Sequence, residues 1–165
     1  MMKKTAAITL AFFLFTLLFS SAYAYSDERK GRLGIGFSNQ LKIDVPALSV
    51  KIHQGKSFAL GGLFGINTGD EGGYGAGLKM YNLIYDEPQL NFYLSFLGAL
   101  LSDKTNGVSD NGFQTDLTFG SEFSFSGLES IGFSFEFGVS INKIREVEVE
   151  TTANHFITAG VHFYL

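Results

Sequence analysis

The chain has 165 residues, a formal net charge of −4, 18 Phe, 7 Tyr and 20 Gly, and neither Cys nor Trp. Without cysteine it has no disulfide scaffold, no thiolate metal site and no lipid-modified N-terminal cysteine. Without a basic cluster, nucleic acid is not an expected partner.

The first 24 residues read as a cleaved secretory signal peptide. Lys3 and Lys4 precede an almost unbroken apolar stretch, Ala6 to Phe19, and Ala22-Tyr23-Ala24 has the small-x-small shape of a cleavage site. The apolar run is short for a membrane anchor. Residues 25–165 are then a single domain of 141 residues. The leader takes Lys3 and Lys4 with it, leaving ten Lys and Arg against 16 Asp and Glu, a net charge of −6. No later segment approaches the roughly 18 apolar residues of a helical span. Much Phe and Gly with little charge suggests strands in a membrane instead.

After a polar lead-in at 25–30, hydrophobicity alternates with a period of two, which predicts an all-β chain. Eight strands are expected, at 31–40, 47–54, 57–67, 73–82, 90–101, 113–125, 131–141 and 155–165. The seventh is clearest: Ile131, Phe133, Phe135, Phe137, Val139 and Ile141 share one face, with Gly132, Ser134, Glu136, Gly138 and Ser140 on the other. In the sixth, Phe113, Leu117, Phe119, Phe123 and Phe125 oppose Gln114, Asp116, Thr118, Gly120, Glu122 and Ser124.

Space decides which face points out. Eight strands enclose a lumen just wide enough for side chains to fill. Three to six large apolar groups per strand would overfill it, whereas the Gly, Ser and Thr face fits. A closed antiparallel up-and-down transmembrane barrel follows, because an open edge in a bilayer leaves backbone groups unpaired. The connections 41–46, 68–72, 102–112 and 142–154 are expected outside, and 55–56, 83–89 and 126–130 on the periplasmic side. Tyr81, Tyr85, Phe92, Tyr93 and Phe163 near one rim, and Tyr74 near the other, read as interface girdles.

The last strand runs to the final residue. Thr158-Ala159-Gly160-Val161-His162-Phe163-Tyr164-Leu165 follows the order polar, any, Gly, any, any, apolar, any, apolar. In this the chain resembles the small eight-stranded outer-membrane barrels of Gram-negative bacteria, of the OmpA/OmpX type. Thr158, Gly160, Phe163 and Leu165 match the C-terminal assembly signal of such barrels, although many members end in Phe. The resemblance implies export, insertion by the barrel-assembly machinery, residence in the outer membrane, and contact with its lipids and lipopolysaccharide.

The inward face carries Arg32, Lys51, His53, Lys79, Asp116, Glu122, Glu136 and His162. Such a set makes either an ion path or a paired network that plugs the tube. Buried charges must be paired and narrow interiors are full, so a plug is expected, helped by inward Leu63, Leu97 and Leu101. The expected role is structural or interactive at the cell surface, with a narrow pore as the alternative. A further alternative is a lipid A-modifying enzyme like the deacylases, which use a His and a Ser two residues apart. His155 has the lipid-facing parity, but two positions on lies Ile157, so no enzyme activity, cofactor or metal is expected. The alternation from Ile144 to Glu150 suggests that the last hairpin protrudes beyond the membrane.

Overall fold

The computed structural model describes residues 31–165 except 44, 56, 70, 71, 88, 106, 107 and 153–155. The proposed signal peptide and His155 lie outside the described residues. Among the described residues nine strands form: β1 (Leu33–Ser38), β2 (Ala47–His53), β3 (Phe58–Asn67), β4 (Gly73–Glu87), β5 (Leu90–Thr105), β6 (Val108–Phe125), β7 (Leu128–Lys143), β8 (Val147–Thr151) and β9 (Thr158–Tyr164). All pair antiparallel with their neighbours, and β1 closes against β9 from Gly34↔Tyr164 to Ser38↔Gly160. We call the rim holding Leu33 and Tyr164 the lower rim, and the rim holding 39–46 and 144–146 the upper.

The barrel has eight staves, the last made of two strands. β7 pairs with β9 over Ile131–Glu136 and with β8 over Val139–Lys143. β8 and β9 thus descend one side of β7 in series, separated by residues 152–157. β7 and β8 form a hairpin that pairs down to Val139↔Thr151, and β8 belongs to the eighth stave.

Several strands are longer than hydrophobic alternation predicts. β4 and β5 continue through the expected connection 83–89, pairing to Glu87↔Leu90. β5 and β6 continue through 102–112, pairing to Thr105↔Val108. The extension of β5 and β6 is polar, with Asp103 facing Asp110. Backbone ladders persist where neither face needs to be apolar, so the alternation fades before the strand does. The opposite error occurs at β1, which stops at Ser38 rather than at residue 40.

The two faces differ sharply. On β7, apolar positions from Ile131 to Ile141 point out, and this eleven-residue length is about what a tilted strand needs to cross a hydrocarbon core. On the exterior of β5, β6 and β7 the rings form contacts between strands: Phe92 and Phe119 lie 6.0 Å apart, Phe119 and Phe137 5.5 Å, and Phe123 and Phe135 5.9 Å. Such pairs contribute about 0.5–1.5 kcal/mol each beyond area burial. Tyr74, Tyr85 and Phe163 are also exposed on the outside.

Tyr81 and Tyr93 are a correction. Both are buried in the lumen, edge to face at 5.3 Å, rather than set in a rim girdle. They share inward parity with Lys79 and Ser95, two residues away along β4 and β5. Space for Tyr93 comes from Gly120 on β6, where an added Cβ would lie 2.6 Å from the ring.

Gly120→Val should therefore destabilise the barrel by about 1–3 kcal/mol through overpacking. Gly98→Ala, on the open exterior where a Cβ meets nothing within 4 Å, should change stability by less than about 0.5 kcal/mol. Urea unfolding of protein refolded in detergent micelles, followed by circular dichroism, checks both.

Candidate functional site

The lumen is built in storeys. In the lower one, Lys51 on β2 reaches across to Glu122 on β6 at 3.0 Å. The Tyr164 hydroxyl on β9 donates to the same carboxylate, 2.8 and 2.9 Å from its two oxygens. The Lys51 ammonium also lies 4.4 Å from the Tyr81 ring centre and 4.9 Å from that of Tyr93. A desolvated cation is thus met by a carboxylate on one side and ring faces on the other. His53 stacks obliquely on Tyr164 at 5.7 Å.

The middle storey centres on Glu136 of β7. Lys79 of β4 donates to both of its oxygens at 2.6 Å. The Tyr93 hydroxyl donates at 2.9 Å, Thr118 at 2.7 Å and Ser95 at 3.2 Å. Asp116 accepts from the amides of Gln114 at 2.8 Å and Gln40 at 3.0 Å. Lys79 also donates to the Gln40 side chain.

Of the eight inward residues proposed from sequence, Lys51, Glu122, Lys79, Glu136 and Asp116 come together as one connected system. His53 and His162 line it. Arg32 does not join it: it is half-buried at the lower rim, donating to the Tyr164 carbonyl at 3.0 Å. The four positions of the C-terminal signal lie in or beside β9. Thr158 is buried and donates to the Glu136 carbonyl at 3.4 Å, while Phe163 and Leu165 are exposed.

Sequence reasoning missed Gln40, and with it the upper storey. Of the segment 41–46, expected as an external loop, residues 41–43 turn into the barrel instead. Leu41 is 2% exposed and Gln40 1%. Leu41 packs with Ala47, Leu63, Leu97, Ala99 and Leu101, and Ile43 lies against the same group. The physical reason is complementarity: the lumen there has an apolar wall from β2 to β5 and a polar wall from β6 to β8. The available signal was the alternation Gln-Leu-Lys-Ile at 40–43, which suits such a slot better than solvent. Lys42 faces the polar wall, 3.0 Å from Glu150 and 3.1 Å from Asn142, and also paired with Glu148. Burial works against its charge, but the two carboxylates outweigh that and hold the ammonium above its usual range.

A Ser–His pair exists inside the barrel. Ser49 and His162 Nε2 are 2.8 Å apart, yet both are almost fully enclosed, and His162 Nδ1 has no hydrogen-bond partner among the described residues. Nucleophilic catalysis by a serine needs an oriented base and substrate access; this pair has neither.

The fold matches the crystal structure of the N-terminal beta-barrel domain of Pseudomonas aeruginosa OprF. The TM-score is 0.62 over 82% of this chain and 98% of that one, at 14% sequence identity. The eight-stranded closed barrel implied by the resemblance above is thus the fold this chain has. No protein-family model and no curated protein sequence matches the chain.

The lumen network makes a definite energetic demand. Glu136→Leu leaves the Lys79 ammonium buried without its carboxylate and should cost about 3–5 kcal/mol. The double variant Lys79→Met/Glu136→Leu removes both charges and should recover more than half of that loss. Urea midpoints of the refolded variants measure the difference.

Proposed function

We propose that this protein is an integral outer-membrane barrel with a closed lumen, acting through its upper rim in a structural or surface-interaction role. One observation carries the reading: the protein is inside out. Its ionic groups are paired in the interior, while Phe37, Phe64, Leu78, Leu100, Phe137 and Val139 are exposed on the outside. An exterior of that kind is unstable in water and stable in hydrocarbon. The signal-like leader, the C-terminal strand pattern and the barrel fold shared with the OprF domain support export to the outer membrane. On this reading the upper rim faces outside, among lipopolysaccharide, and insertion uses the barrel-assembly machinery.

The filled lumen favours a plug over a pore. Lys51 with Glu122, and Lys79 with Glu136, cross the tube, and the Gln40–Ile43 segment covers them from above. No catalytic role is assigned to the barrel.

Two measurements test this. Cell fractionation should place the protein with the outer membrane, and its gel mobility should shift on heating, as folded barrels unfold only when boiled. Release with soluble periplasmic contents and no heat shift would defeat the membrane assignment. In planar bilayers the refolded protein should show no steady conductance; persistent channels abolished by Glu136→Gln would transfer the function to the narrow-pore reading.

A further inference from the structure

The segment Gln40–Ile43 is held in the upper lumen as a ligand is held in a binding site. Its backbone is recognised by one side chain: the Gln114 amide donates to the Gln40 carbonyl at 2.9 Å and accepts from the Lys42 N–H at 2.9 Å. Its amide side chain is read by Asp116 and Lys79. Its cation is read by Glu148, Glu150 and Asn142. A bond from the Ile43 N–H to the Leu41 carbonyl at 2.8 Å turns the chain at Lys42, so that Leu41 and Ile43 both meet the apolar wall. That wall is cut to receive them. Gly65 and Gly75 face each other in the β3–β4 ladder; a Cβ on Gly65 would lie 2.1 Å from Ile43 Cδ1, and one on Gly75 3.2 Å from Leu41 Cδ1.

We propose that this slot is a peptide-binding site at the outer mouth, with the chain's own 40–43 segment as its resting occupant. The external occupant is a short peptide carrying an amide, a branched apolar residue, a basic residue and a second branched apolar residue. The polar wall argues for a peptide over a hydrocarbon chain. Gln114, Asp116, Glu148 and Glu150 would all lose partners to an acyl tail, and buried groups left unpaired oppose binding. The carboxylates set the sign of the partner: a basic residue is taken, an acidic one repelled. The slot is closed below by the Lys79–Glu136 and Lys51–Glu122 pairs, so it holds a ligand rather than conducting one. This inference deepens the surface-interaction reading above, supplying the chemical class of the partner.

The test uses full-length protein lacking its leader, refolded in detergent, so its outcome is independent of cellular location. In one variant the occupant is erased by Gln40→Gly, Leu41→Ser, Lys42→Gly and Ile43→Ser; heat-dependent gel mobility confirms that the barrel has folded. The probe is an end-blocked, fluorescently labelled peptide, Asn-Gln-Leu-Lys-Ile, followed by anisotropy. Saturable binding is expected, at least about tenfold weaker when the peptide's Leu is Asp or its Lys is Glu. The unaltered protein should bind at least about tenfold more weakly than the erased variant, because its own segment competes. Absence of saturable binding to the folded variant, or binding indifferent to both peptide changes, overturns the proposal. Should the erased variant not fold, Leu41→Cys serves instead, as the only cysteine in the chain. Excess peptide should speed its modification by a maleimide, and an unchanged rate overturns the proposal equally.

Discussion

The two lysines buried between the strands of this barrel are each neutralised by a glutamate across the lumen, and much of the architecture follows from that. Lys51 stands on β2 and its carboxylate on β6; Lys79 stands on β4 and its carboxylate on β7. In a low-dielectric tube the cost of desolvating these ions nearly cancels their attraction, so the pairs are weak sources of net stability. What they supply is register. Sliding one strand by a single residue would turn its inward set to the outside. Here it would also carry an ammonium or carboxylate from the lumen to the apolar exterior. Two pairs spanning four staves therefore penalise many mispairings at once.

The same constraint explains the small residues opposite the large ones. A tyrosine hydroxyl reaches each of the two paired glutamates, Tyr164 for Glu122 and Tyr93 for Glu136. A ring that crosses so narrow a lumen needs a neighbour without a side chain, which Gly120 provides for Tyr93. Higher up, the wall from β2 to β5 turns apolar and the chain's own Leu41 and Ile43 fill the space. Interiors are filled to crystal-like density or they pay for the void in lost contacts. The inward turn of Gln40–Ile43 is how this chain meets that requirement where strand side chains alone are too small.

What could be read from sequence was whatever depends on parity. Inward and outward sets on β6 and β7 follow from counting by two, and so do the buried positions of Lys51, Lys79, Glu122 and Glu136. Parity also placed Tyr81 beside Lys79, but aromatic character suggested a rim, and the packing demand of the carboxylates was invisible in one dimension. Near Ile84 the register itself shifts between Leu83 and Tyr85, so counting fails there. The polar ends of β5 and β6 carry no alternation because both faces meet solvent. Gln40 was missed for a further reason: its partners Lys79 on β4, and Gln114 and Asp116 on β6, come from two places distant in the chain, and only closure brings them together.

Closure also gives the last strand its particular standing. All other barrel pairings join neighbouring staves through short connections, but β1 and β9 are separated by nearly the whole chain, from Gly34 to Tyr164. Long-range contacts form late, because loop-closure entropy must be met before they contribute. Both seam strands are short, six and seven residues, and above Ser38 and Gly160 the seam carries one further backbone bond, from the Asn39 N–H to the Ala159 carbonyl at 3.2 Å. Until they meet, β9 is an edge with one row of unpaired backbone groups, the part of a sheet most ready to pair with another protein. Phe163 and Leu165 are the exposed large apolar side chains of this edge. Once β1 docks, its backbone is covered and only those apolar side chains remain exposed. On the proposed reading of Thr158 to Leu165 as an assembly signal, its backbone would be open before closure and covered by it.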